Sequence, residues 1–303
     1  MTLRRVKGRS RGNRKHPGRS WGEKSAVPFS IVFHCEPEED IDSREFKGEG
    51  LRNFAHWFLE RLGPARDHGA TSEEKASFTV SPFFAKRSPS QRGESGGQEH
   101  RGSTVQTIRA GTPCRFRLTL LSDRLSEAAA CFLRKPALVL PVNEHSIKVT
   151  HVLRTPSRSD PWPRSQTYEQ LFDEASSTCK AIRLHFVTPT VFIRHSGPVP
   201  LPDPLDVFKG LIDSWERFAP ISLSANLERL IDRQVCLREF RISSLTYDSG
   251  DELIPAFTGW GQFALTGRHH EKHIREFNLL ADFSFYCGTG DRTEIGMGVT
   301  RRL

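Results

Sequence analysis

The chain predicts an α+β fold of two ferredoxin-like (RRM-like) domains in tandem, each β-α-β-β-α-β around an antiparallel sheet. Three observations carry this. Segments of strand periodicity and helix periodicity follow one another in the β-α-β-β-α-β order. The same order then occurs a second time. Between the two runs lies a Pro- and Ser-rich stretch, residues 155–165, of linker composition. A chain of 303 residues has room for two ordinary domains, although its apolar content of 36% is low.

The first domain takes residues 26–154 and opens on a strand-like run, Val27-Pro28-Phe29-Ser30-Ile31-Val32-Phe33. Residues 48–62 read as a helix, because Leu51, Phe54, Ala55, Phe58, Leu59 and Leu62 recur at helical spacing and Gly63-Pro64 stops the pattern. Residues 76–85 look extended. Residues 88–111 are largely Gly, Ser, Gln and Arg and read as a flexible insertion. Arg115-Phe116-Arg117-Leu118-Thr119-Leu120 alternates cleanly, as a half-buried strand does. A helix over 126–133 and a strand over 146–153 complete the unit. After a linker over 155–178, the second domain takes residues 179–303. Ile182, Leu184 and Phe186 alternate with Arg183 and His185 in its first strand. Pro204 opens a helix carrying Leu205, Phe208, Leu211, Ile212, Trp215 and Phe218. Strands follow over 235–245 and 257–265, then a helix over 270–281, and two terminal strands at 284–286 and 298–302 flank a glycine-rich loop.

Charge is distributed unevenly. The net charge is +8, from 44 basic and 36 acidic residues. Residues 1–25 hold nine Lys or Arg and a single acid, Glu23, so the tail alone accounts for +8 and the rest balances at 35 against 35. The folded body is thus not uniformly basic, and an anion site on it must be a local patch. The tail has almost no apolar content and is expected to be disordered. It reads either as a non-specific RNA-binding arm or as a solvated terminus. Six scattered cysteines without a Cys-x-x-Cys argue against a zinc site or a disulfide framework. No apolar run approaches membrane-spanning length, and the tail lacks a hydrophobic signal core, so no membrane partner and a cytoplasmic location are expected.

The strongest functional signal lies just before the C-terminus, in Cys287-Gly288-Thr289-Gly290-Asp291-Arg292-Thr293-Glu294-Ile295-Gly296-Met297-Gly298. Two Gly-x-Gly pairs bracket a polar loop containing an Arg. Such a loop brings backbone N–H groups close to an anion, and Arg292 adds a charged fork. A dinucleotide site needs a long helix and more sheet after its glycines, and too little chain remains here. No Gly-x-x-x-x-Gly-Lys-Ser/Thr string occurs either. An extended polyanion suits the loop better than a mononucleotide. Gly288, Gly290, Arg292, Thr293, Gly296 and Gly298 are therefore the candidate RNA-binding residues, with a plain tight turn as the other reading. His269, His270, Lys272, His273 and Arg275 form a basic stretch at the last helix, which either tracks phosphates or is a solvated face.

At this point the chain resembles the CRISPR-associated pre-crRNA processing endoribonucleases of the RAMP superfamily. The glycine loop, with its final Gly296-Met297-Gly298, is similar to the RAMP signature. Phe78-Thr79-Val80-Ser81-Pro82 resembles the family's N-domain strand, and Val187-Thr188-Pro189-Thr190-Val191-Phe192 resembles the strand opening its second domain. Phe257-Thr258-Gly259-Trp260-Gly261 falls where the family has a Gly-containing strand. The resemblance covers roughly residues 27–303. It implies cleavage of CRISPR repeat RNA without metal or other cofactor: the ribose 2′-hydroxyl attacks the adjacent phosphate and leaves 2′,3′-cyclic phosphate and 5′-hydroxyl ends. The crRNA product would pass to a type I or type III interference complex.

Such chemistry needs a proton-transfer group near neutral pH, a cation for the phosphorane and an in-line RNA. The family often places a catalytic His, then a Lys, shortly before the Phe-Thr-Val-Ser-Pro strand. The resemblance accordingly implies His68, ten residues before Phe78, as general acid or base and Lys75, three before it, as phosphate stabiliser. From the residues alone, His68 beside Asp67 and Gly69 also reads as a solvated loop histidine, and Lys75 beside Glu73 and Glu74 as a surface charge. Arg52 on the first helix is a further candidate, since family members draw a catalytic aid from there. His56, four residues on and so its neighbour, is the alternative histidine. A monomer and a homodimer are both compatible with the sequence. The alternative function is a non-catalytic RAMP subunit that only binds crRNA. An unrelated tandem RRM protein would carry an Arg/Lys-Gly-Phe-Gly-Phe string, and none is present.

Overall fold

The computed structural model describes residues 27–62, 77–85, 107–133, 138–250 and 252–303. The basic tail, His68, Lys75 and most of the 88–111 stretch lie outside the described residues. The first half comprises β1 (Phe29–Pro37), β2 (Ile41–Asp42), α1 (Gly48–Leu62), β3 (Phe78–Val80), β4 (Phe84–Ala85), β5 (Thr107–Ile108), β6 (Cys114–Leu120), α2 (Asp123–Phe132), β7 (Val139–Val142) and β8 (His145–Leu153). Next come β9 (Arg164–Ser165) and α3 (Tyr168–Glu174). The second half has β10 (Ala181–Thr190), β11 (Phe192–Arg194), β12 (Gly197–Val199), α4 (Pro204–Phe218), α5 (Leu227–Gln234), β13 (Val235–Asp248), β14 (Leu253–Leu265), α6 (Glu271–Cys287) and β15 (Thr300–Arg302).

The first sheet runs β3-β6-β1-β8-β7, with β4 also on β6 and β9 on β1. The second runs β13-β14-β10-β15. On the β-α-β-β-α-β path, the first half uses β1, β3, β6 and β8, and the second uses β10, β13, β14 and β15. In both sheets the spatial order of those four strands is second, third, first, fourth, with every pairing antiparallel. Each half is therefore a ferredoxin-like unit, in tandem as the sequence predicts.

Period-two alternation builds each core. Ile31, Phe33 and Cys35 of β1 and Phe116, Leu118 and Leu120 of β6 are buried together with Phe54 and Phe58 of α1. Phe33 and Phe116 stack with centroids 4.7 Å apart, a contact in the favourable aromatic range. In the second half Ile182, Leu184 and Phe186 are buried with Phe208, Leu211 and Trp215 of α4 and Phe277, Leu280 and Phe283 of α6. α4 starts where its sequence dictates: Asp203 accepts from the Leu205 amide at 3.0 Å, and Pro204 follows at the first helical position.

Several elements differ from the sequence reading. β7 adds a strand that pairs with β8 beyond the ferredoxin set. Part of the 155–178 linker is structured. Ser165 of β9 pairs with Phe29, while α3, capped by the Thr167/Gln170 capping box, buries Tyr168 and Leu171 in the second core. Thr107 and Ile108, at the end of the predicted insertion, pair with Asp42 and Ile41. α5 is a helix of eight residues that the sequence reading omits. The largest correction concerns α6, which continues to Cys287, so the glycine loop is entered from a helix and left into a strand, not held between two strands. The reason is burial. Phe277, Asn278, Leu279, Leu280, Ala281, Phe283, Ser284, Tyr286 and Cys287 are all buried, so this half of α6 has no polar stripe to mark helical period.

Candidate nucleic-acid site at the terminal glycine loop

The last carbonyls of a helix have no partner within it, and those of α6 are met by the first half of the chain. Arg117, on β6, donates from Nη2 to the Phe285 carbonyl at 2.5 Å and from Nε to Ser30 Oγ at 2.8 Å. Thr119 Oγ1 donates to the Tyr286 carbonyl at 2.7 Å. The Arg117 guanidinium lies 4.2 Å from the centre of the Phe285 ring and 5.0 Å from that of Trp162. Burial lowers its pKa to about 9, so it remains a cation at neutral pH, placed at the negative end of the helix dipole. The first sheet thus fixes the end of the helix from which the glycine loop departs.

The loop is then tied down residue by residue. The Gly288 amide donates to Ser284 O at 3.0 Å, Thr289 N to Gly298 O at 2.8 Å and Asp291 N to Val191 O at 2.9 Å. The Asp291 carboxylate accepts from the Ile193 amide at 2.7 Å, and Gly298 N donates to Pro189 O at 2.8 Å. Gly290 and Gly298 have φ of 81° and 70°, in the left-handed region that disfavours side chains. A Cβ at either would overlap a carbonyl oxygen, that of Val191 or of Thr289. Ile295 and Met297 fill a small core with Val191, Tyr247, Ile254 and Ala256. The Tyr247 hydroxyl donates to Ile295 O at 2.8 Å and accepts from the Gly48 amide, at the start of α1, at 3.2 Å. A Cβ on Gly296 would lie 2.9 Å from Leu51 and 3.0 Å from Pro82, so the loop sits hard against the first half.

An open cavity of about 590 Å³ forms along this loop. Its walls are residues 287–294, Arg52 and Ala55 of α1, Phe78 of β3, and Gly210 and Ser214 of α4. Arg292 (φ 65°) is steered by Glu252, whose carboxylate is 3.3 Å from its Nη2. Thr289 is 2% exposed, and its hydroxyl has no hydrogen-bond partner among the described residues. Asp291 is exposed at one side; crowding at the other raises its carboxyl pKa, and the hydrogen bond from Ile193 partly offsets this. Among the described residues no three His, Cys, Asp or Glu side chains converge as metal ligands.

The structure brings some of the sequence candidates together and separates others. Gly288, Gly290, Arg292, Thr293 and Arg52 share the cavity, while Gly296 and Gly298 hold the loop behind it. His56 lies on α1 one turn beyond Arg52. His68 and Lys75 lie outside the described residues, but the strand they precede begins at Phe78, a wall of the cavity. The basic stretch is elsewhere. His269, His270, Lys272, His273 and Arg275 stand at the start of α6, which runs to Cys287 and so sets them about 18–27 Å along its axis from the loop. Their groups are also partly engaged: Lys272 Nζ is 3.8 Å from buried Glu276, Arg275 lies 5.7 Å from the Phe172 ring centre, and His269 Nε2 is 2.7 Å from Thr266 O. Gly210, Ser214, Thr289 and Arg117 are absent from the sequence candidates. Only Gly210 carries a visible signal, as a glycine within a strongly amphipathic helix.

Comparison with known proteins agrees with the fold. Residues 184–300 match the family model of the CRISPR-associated endoribonuclease Cas6, and residues 27–173 match that of the CRISPR Cas6 N-terminal domain. A CRISPR-associated endoribonuclease Cas6 from Mycobacterium tuberculosis is 29% identical over 140 residues, 46% of this chain. The matched stretch spans 43% of that relative's length, less than half of it. Among solved structures, a Cas6 (TTHB231) product complex superimposes with a TM-score of 0.69 at 23% identity, covering 92% of this chain and all of that one. A Cas6 (TTHA0078) substrate mimic complex gives 0.68 at 22% identity, covering 92% and 100%. Thermus thermophilus Cas6 (TTHB231) gives 0.64 at 22%, covering 93% and 100%.

Proposed function

The chain belongs to the Cas6 family of CRISPR-associated endoribonucleases, and on that premise we propose that it cuts CRISPR repeat RNA to crRNA at the glycine-loop cavity, without metal. The observation that carries this reading is the make-up of the cavity. A rigid loop rich in backbone N–H groups faces Arg52 and Phe78, and the chain before Phe78 carries His68 and Lys75. In the proposed reaction the 2′-oxygen bonds to the adjacent phosphorus as its proton passes to a base, and the bond from phosphorus to the 5′-oxygen breaks as that oxygen takes up a proton. The products are a 2′,3′-cyclic phosphate and a 5′-hydroxyl. His68 serves as general acid or base, and Lys75, Arg52 and Arg292 balance the charge of the pentavalent phosphorane. The loop holds the phosphate so that the attacking and leaving oxygens stay in line. The crRNA then passes to a type I or type III interference complex.

The test is incubation of the protein with a labelled CRISPR-repeat RNA in EDTA. One cut with a cyclic-phosphate end is the expected result. Binding without cutting supports the non-catalytic RAMP subunit instead. His68→Ala is expected to slow cleavage on the order of a hundred-fold or more with little change in affinity. An unchanged rate removes His68 from the mechanism and moves the proton-transfer role to His56.

A further inference from the structure

α4 carries a glycine where a helix has no use for one. Val207, Phe208, Leu211 and Trp215 turn inward, and Gly210 lies mid-helix on the exposed side. Apart from proline, glycine is the poorest residue for a helix interior. The usual reasons for keeping one are missing. Among the described residues, no atom beyond its chain neighbours and the backbone of its own helix lies within 4 Å of a Cβ built on Gly210, so none of them demands the space, and its φ is not positive. It is also far from either helix end. What Gly210 does is line the cavity, together with Ser214 one turn on, so the helix face there is bare.

An independent observation stands on the wall formed by the glycine loop. Thr289 lines the same cavity, is 2% exposed, and has a hydroxyl with no hydrogen-bond partner among the described residues. A buried hydroxyl left unpaired is disfavoured and points to an acceptor or donor beyond the described residues. The charges lining the cavity indicate what that group belongs to. The lining cations Arg52 and Arg292 stand on α1 and the glycine loop, whereas α4 lines the cavity with Gly210 and Ser214 alone, so the α4 side is no phosphate trap. A flat, uncharged surface fits it.

We infer that α4 is a third wall of the RNA site and a determinant of specificity: the ribose and base of one nucleotide next to the scissile phosphate lie flat on Gly210 and Ser214, and Thr289 Oγ1 hydrogen-bonds that nucleotide. This rests on the RNA-cleaving reading of the same cavity. A side chain at position 210 has open space to enter and fills the seat without disturbing the core.

The experiment compares wild type, Gly210→Ala, Gly210→Leu and Thr289→Val for melting temperature, affinity and cleavage, using a labelled RNA with the CRISPR repeat of the same genome. Gly210→Ala is expected to raise the melting temperature by about 2 °C through better helix propensity while weakening RNA binding several-fold. Gly210→Leu is expected to weaken binding at least ten-fold without lowering the melting temperature, and Thr289→Val several-fold. Removing the base at one repeat position should bring wild type and Gly210→Leu to equal affinity. If Gly210→Leu binds the intact repeat within two-fold of wild type, the third wall is refuted while RNA binding stands. If wild type itself gives neither binding nor cleavage, the RNA-cleaving reading falls and this inference with it, and no variant arm gives signal.

Discussion

The two ends of α6 carry the two groups of residues that the sequence marks for RNA, and they are built in opposite ways. At the C-terminal end, two glycines press backbone against backbone, Arg117 and Thr119 hold the last carbonyls, and a buried threonine hydroxyl stands unpaired beside a cavity. At the N-terminal end are a lysine near a buried glutamate, an arginine against a phenylalanine ring, and exposed or half-exposed histidines. The first end lines a cavity; the second is an exposed or half-exposed run of basic residues. On the proposed function, chain geometry locates the RNA chemistry in this molecule, and charge on a solvated helix end adds a diffuse, salt-sensitive attraction.

Four variants test that contrast, in falling order of effect. Gly298→Val forces a β-branched side chain into a left-handed backbone and against the Thr289 carbonyl. It should cost about 3–5 kcal/mol of stability, read by denaturant titration, and abolish cleavage. Arg117→Met keeps most of the packing but leaves the Phe285 carbonyl and Ser30 hydroxyl without their donor. A loss of about 2–3 kcal/mol is expected, with weaker RNA binding and partial recovery in Arg117→Lys.

The joint change His270→Ala, Lys272→Ala and Arg275→Ala should leave the cleavage rate of bound RNA unchanged and weaken affinity by less than about ten-fold, with a shallower salt dependence. If it stops cleavage as Gly298→Val does, the contrast between the two ends collapses. Asp291→Asn probes the loop by pH. Burial, the main cause, raises the Asp291 pKa in the folded protein, so its contribution to stability is present below the unfolded carboxylate pKa and lost as pH rises through the folded value. The variant keeps an acceptor for the Ile193 amide, so its melting temperature should exceed that of wild type slightly at pH 7, and the gap should close towards pH 4. An equal gap at both values counts against a strained carboxylate in the loop.

Much of the fold was legible because its signals are local. α1 has the bounds read from the sequence, 48–62, and α4 starts at Pro204 as read, since each has an apolar stripe and a clear start or stop. The strands of Ile182, Leu184 and Phe186 and of Phe116, Leu118 and Leu120 alternate as half-buried strands do. The end of α6 was not legible, because burial on all sides erases periodicity. Neither was the role of the linker, where Tyr168 and Leu171 are only two apolar residues until a core receives them. Of the cavity lining, the glycine loop and Arg52 were among the sequence candidates. Thr289 was passed over within the loop, and Gly210 was visible as an oddity with no stated purpose.

By itself, the sequence determined most of the segments that are helix or strand, that two like units follow one another, and that a glycine-rich loop lies near the C-terminus. These follow from side-chain period and backbone freedom, which act over a few residues. Only the tertiary structure decided that Arg52, Phe78, Gly210 and Thr289 face one cavity and that the basic residues preceding the same loop lie a helix length away. Such distances depend on how sheets and helices stack, and no local property of the chain encodes them.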